Sequence, residues 1–120
     1  MVLIAAVVTP LFVCRAQEKP VYQAPAKPLK AEYTIYSGGL GDEQAPTKDE
    51  HKLAIEISGQ GAKEIFDSLY PDEKVTCSGE AGERLRRKKH VWCSFSPANG
   101  YRCFIGFNLR TGDSIAGGSC

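Results

Sequence analysis

Two cysteines set opposite each other across a turn constrain this chain more than any other feature. Residues 91–107 read VWCSFSPANGYRCFIGF, two alternating runs around the turn residues Pro97-Ala98-Asn99-Gly100. If the runs pair so that partner numbers sum to 196, Val91 meets Ile105, Cys93 meets Cys103 and Phe95 meets Tyr101. Every one of these falls on a single apolar face, because side chains alternate along a strand. The other face carries Trp92, Ser94, Arg102, Phe104 and Asn108, which is mixed. A slip by one residue destroys this coherence, so the register is strongly specified. The preferred bridge is therefore Cys93–Cys103 across the hairpin.

That reading requires an oxidising compartment, and the N-terminus supplies a reason to expect one. Val2 to Val13, VLIAAVVTPLFV, is apolar apart from Thr9 and Pro10. It is too short for the roughly 20 apolar residues that cross a bilayer, and it has the length and composition of a signal-peptide core. Cleavage after Ala16 would remove residues 1–16 and leave small residues, Cys14 and Ala16, at the positions a signal peptidase reads. No Lys or Arg precedes the apolar run, which departs from the usual pattern. Lipid attachment at Cys14 fits poorly, since bulky Val13 precedes it and Arg15 follows.

The chain has five cysteines. Loss of Cys14 with the signal leaves four, and an even count in a short exported domain reads as a disulfide framework. With Cys93 joined to Cys103, Cys77 pairs with Cys120, although four cysteines permit three pairings. In the chain-entropy account the short loop contributes about 3 kcal/mol and the long one about 4 kcal/mol. No metal is expected: there is no CxxC pair, and the only histidines are His51 and His90.

Residues 17–30, QEKPVYQAPAKPLK, contain three prolines and read as an extended linker. The remainder, 31–120, is one domain. Ala31–Tyr36 is a strand candidate, and 37–50 an acidic, Gly-rich loop. In Lys52–Ser58 the period of two puts Leu53, Ile55 and Ile57 on one face. Ala62, Ile65, Phe66 and Leu69 form a helical stripe that begins near Ser58 or Gln60 and is stopped by Pro71. His90–Phe95, Tyr101–Leu109 and Ser114–Ala116 complete a meander. The order ββαβββ predicts an α+β fold, an antiparallel sheet with one helix on a face, stapled by disulfides.

Charge is unevenly placed. Residues 31–73 carry ten acids and three bases, whereas 74–110 carry eight bases and two acids. Arg84, Arg86, Arg87, Lys88 and Lys89 put five cations into six residues, followed by His90 and Trp92. This run is the candidate binding surface: such a cluster attracts carboxylates, phosphates or sulfates, and the attraction weakens with salt. Trp92, Tyr101 and Phe104 would supply stacking surfaces. The same residues would also serve a bland purpose, guarding a sheet edge against aggregation. The acids Asp42, Glu43, Asp49 and Glu50 lack the every-second-residue spacing of a calcium loop.

Catalytic signatures are missing: there is no nucleophile elbow, HExxH or phosphate-binding glycine loop. A ribonuclease-like reaction could use His51 and His90 with Lys88 or Lys89, but nothing in the spacing brings them together. The expectation is a periplasmic or secreted, non-catalytic binding protein of inhibitor or immunity type. It needs no cofactor, its mature chain has no transmembrane segment, and its partner is another protein. The alternative is a binder of an anionic polymer such as nucleic acid, lipopolysaccharide or glycosaminoglycan; a small hydrolase is a remote third. In build alone, the chain resembles many small bacterial periplasmic proteins, lysozyme inhibitors among them.

Overall fold

A computed structural model describes residues 1–14 and 19–120. The expected cleavage after Ala16 and the start of the linker lie outside the described residues. The elements are β1 (Lys30–Gly39), β2 (Asp42–Gln44), β3 (Lys52–Ser58), α1 (Gly59–Ser68), β4 (Arg84–Lys88), β5 (Val91–Ser96), β6 (Gly100–Asn108) and β7 (Ser114–Ile115). They build an antiparallel sheet of order β2-β1-β3-β6-β5-β4, with β7 paired to β6. Among the described residues the fold is α+β with one helix and two disulfides, Cys77–Cys120 and Cys93–Cys103.

The hairpin register is the one the side chains dictate: Trp92 pairs with Phe104, Cys93 with Cys103, and Phe95 with Tyr101. Two strands exceed the expected set. Asp42–Gln44 pairs with Ser37–Gly39 inside the acidic loop. Arg84–Lys88 pairs with Val91–Phe95 to form the sheet's edge. His90 accordingly belongs to a turn, and β5 opens at Val91.

One face of the sheet carries α1. Ile57, Ala62, Phe66, Cys93 and Cys103 form its buried centre, flanked by Ile55, Ile65, Leu69, Phe95, Tyr101 and Ile105. Phe66 meets Tyr101 edge-on, with ring centroids 5.2 Å apart. Ser58 occupies the N-cap position of α1 with no side-chain cap bond, and the last turn closes with the Leu69 N–H donating to the Phe66 carbonyl. The end of the linker is anchored here: Lys27 forms an ion pair with Glu64 at 2.7 Å.

The opposite face also buries side chains, at separate places along the sheet. Tyr36, Leu85 and Trp92 are buried, and Trp92 stacks on Phe104 at 4.2 Å. Residues 116–120 cross this face as a strap. The Trp92 indole N–H donates to the Gly118 carbonyl at 3.2 Å. The strap lies so close that a Cβ on Gly117 would sit 2.0 Å from the Ile105 carbonyl oxygen, and one on Gly118 2.5 Å from the Phe104 ring. The Cys77–Cys120 bridge ties the strap to the loop between α1 and β4.

Candidate functional site

The basic run forms β4 and the turn that follows it, and the pleat sorts its cations. Residues of β4 alternate between faces, and their β5 partners show which way each points. Arg84 and Arg86 pair with Phe95 and Cys93, and so lie on the α1 side. Leu85 and Arg87 pair with Ser94 and Trp92, and so lie on the strap side.

On the α1 side one carboxylate captures both arginines. Arg84 donates to Asp72 through Nε at 2.8 Å and Nη2 at 3.0 Å. Arg86 donates through Nε to the same carboxylate at 2.7 Å and through Nη1 to the Phe66 carbonyl at 2.9 Å. Both guanidinium groups lie over the Phe66 ring, at 5.0 and 4.2 Å from its centroid. Planar guanidinium groups suit such combined stacking and forked bonding. The Arg84 hydrogen bonds, then those of Arg86, hold the Asp72 carboxyl at a pKa of about 2. Asp72 in turn raises the pKa of Arg84.

Arg87, Lys88, Lys89 and His90 remain exposed, grouped at the end of the hairpin. Lys88 pairs with Val91, so Lys89 and His90 form a two-residue turn. Lys89 adopts φ 54°, the left-handed conformation normally given to glycine. A side chain there costs roughly 1–2 kcal/mol. The Arg87 guanidinium lies 5.7 Å from the centroid of the Trp92 ring. A shallow cleft of about 180 Å³ is lined by Arg87, Lys89, His90 and Trp92 together with Ala116, Gly118 and Cys120.

Trp92 departs from the sequence reading. It is only 5% exposed, stacked on Phe104, bonded through its indole N–H to the strap and approached by Arg87, so in this structure it supports the site from beneath and offers no open ring for stacking. Arg84 and Arg86 are likewise set apart from the turn, because both are hydrogen-bonded to the one Asp72 carboxylate on the α1 side. The signals that sequence reading passed over are Asp72 itself and the Gly117-Gly118 pair ahead of Cys120.

Compared with known protein families, curated proteins and solved structures, the chain matches none.

The histidines are placed separately. The His51 carbonyl accepts the Leu109 N–H just ahead of β3, while His90 is on the β4–β5 turn, in a cleft whose lining does not include His51. In the acidic segment, Glu50 accepts the Gly38 N–H at 2.7 Å and pairs with Lys52 at 2.9 Å. Glu43 accepts the Gly41 N–H at 2.9 Å. Both carboxyls have lowered pKa values, through Lys52 and Gly38 for Glu50 and chiefly through Gly41 for Glu43. Among the described residues, no group of three or more His, Cys, Asp or Glu is placed to hold a metal ion. Among the same residues, no helix is long and apolar enough to cross a membrane.

Proposed function

We propose that the protein is an exported, non-catalytic binding protein of inhibitor or immunity type, which presents Arg87, Lys88, Lys89 and His90 to an acidic surface on a second protein. One observation carries this reading. Arg87, Lys88 and Lys89, the cations of the run that are not bonded to Asp72, are gathered at the end of the β4–β5 hairpin, and one of them, Lys89, keeps a side chain where glycine would relieve the backbone. Strain retained at an exposed, charged turn motivates a functional role.

The shape of the site favours a protein partner over an anionic polymer. A polymer binder uses a track of cations along its backbone, and here two of the five cations in the run are turned away and paired. What remains is a compact projection suited to an acidic recess. The apolar run at 2–13 and the two disulfides support export.

The test compares wild-type protein with an Arg87→Ala/Lys88→Ala/Lys89→Ala variant as baits for periplasmic or culture-medium proteins, alongside elution from heparin. The expected result is a partner that wild type retains, that moderate salt releases, and that the variant loses, with heparin elution at or below physiological salt. Heparin elution well above physiological salt that collapses in the variant would favour the polymer reading. Retention of the same partner by both baits would refute the turn as the contact.

A further inference from the structure

The two disulfides differ in access. Cys93 and Cys103 are each 0% exposed beneath α1, whereas Cys77 and Cys120 are both exposed. Exposed disulfides are the labile ones, and buried ones resist reduction. The Cys77–Cys120 bridge also borders two clefts. One, of about 680 Å³, has both cysteines in its wall together with Lys74, Leu85 and Arg87, and with Asp72 and Glu73 as its acids. The other is the basic cleft of Arg87, Lys89 and His90, which reaches Cys120. Arg87 is common to both, and Asp72 is already held by Arg84 and Arg86.

We propose that Cys77–Cys120 is a thiol-exchange site whose substrate is a small anionic thiol, a thiol peptide bearing carboxylates, drawn in by Arg87 and Lys89. The incoming thiolate attacks Sγ of Cys77. A bond forms between the two sulfurs, the Cys77–Cys120 bond breaks, and the electron pair leaves on Cys120. Cys120 is the better leaving group because Arg87 and Lys89 share its cleft, and cations stabilise a thiolate. A second thiol then attacks the outer sulfur of the mixed disulfide and departs joined to the first. Cys77 and Cys120 take up two protons from water, and two thiols have supplied two electrons.

The structural consequence is release of the strap. Residues 116–120 lose their covalent tie and uncover Trp92 and Phe104. Trp92 is the chain's single tryptophan, so its emission reports the opening directly.

The test uses the full oxidised chain with Cys14 alkylated beforehand. It is incubated in native buffer with glutathione, which is anionic, or with 2-mercaptoethanol, which is neutral; alkylation and peptide mass mapping follow. The expected adduct is on Cys77, formed at least about tenfold faster than any loss of Cys93–Cys103, with a red shift of Trp92 emission. An Arg87→Gln/Lys89→Gln variant is expected to slow both thiols, because Cys120 becomes a poorer leaving group, but to slow glutathione about threefold more than mercaptoethanol at low salt. Loss of both disulfides at one rate, an adduct on Cys120, or equal slowing of the two thiols would overturn the proposal.

Discussion

Gly117→Ala is the sharpest test of the strap as a structural element. The glycine is buried, and its φ is not in the left-handed region, so an alanine there escapes the left-handed penalty. What it meets is steric. Its Cβ would fall 2.0 Å from the Ile105 carbonyl oxygen, 2.3 Å from the Ile105 carbonyl carbon and 2.7 Å from the Ile105 nitrogen. These are backbone atoms of a central strand, which cannot rotate aside, so the strap has to lift. Overpacking of this kind costs about 2 kcal/mol. Loss of the Trp92–Gly118 hydrogen bond adds about 1 kcal/mol. For a domain of this size each kcal/mol lowers Tm by about 4–8 °C, so a fall of 10 °C or more is expected, roughly. Thermal unfolding by circular dichroism measures it, and Trp92 emission should shift to the red in the folded variant. Gly39→Ala is the control: its Cβ has nothing within 4 Å, and a change within about 0.5 kcal/mol is expected. If Gly117→Ala melts within a degree or so of wild type with unchanged emission, the close fit of the strap on β6 is wrong.

Three further outcomes follow from the same geometry. Phe66→Ala removes the 0%-exposed ring that packs on Tyr101 and lies under both arginines, and should cost about 3–5 kcal/mol in urea unfolding, a large part of the roughly 5–15 kcal/mol available to a small domain. Asp72→Asn should cost at most about 1 kcal/mol, because the pair is partly open to solvent, and should move heparin elution to higher salt as Arg84 and Arg86 become available. The Asp72 pKa is depressed from 3.8 to about 2, so its stabilisation is fully present above pH 4 or so and fades as pH falls towards 2, approximately. The gap between wild type and Asp72→Asn should therefore close over that window in urea titrations. Lys89→Gly should raise stability by about 1 kcal/mol by relieving φ 54°, while weakening the proposed partner's binding; a loss of stability would show that the turn is not strained.

The sequence revealed those parts of the fold where one physical rule acted alone. In Lys52–Ser58 the alternation of Leu53, Ile55 and Ile57 is enough to mark a half-buried strand, and the stripe of Ala62, Ile65, Phe66 and Leu69 marks the helix that covers it. The hairpin register followed from apolar residues and two cysteines that share a face only in one alignment. Other features depend on partners distant in the chain. Asp42–Gln44 is exposed along its whole length, so no burial period signals a strand. In β4 only Leu85 is fully buried, and the surrounding charges conceal it. The fate of Arg84 and Arg86 was decided by Asp72, 12 and 14 residues earlier. That of Trp92 was decided by a glycine 26 residues later. The binding residues could thus be picked out as a run, whereas their division into paired and free required the fold.

That division makes charge at β4 a matter of parity. Position along the strand, and not the kind of residue, determines whether an arginine there is spent inside the protein or offered outside it. Deleting Arg87 or Lys88, with the turn held in place, would leave the composition nearly unchanged, yet it would bring Arg86 opposite Trp92 and Arg84 opposite Ser94, turning both outward and away from Asp72. The recognition surface of such a protein can therefore be rewritten by a single-residue frame change in an edge strand, a route to new partners that counts of basic residues would not detect.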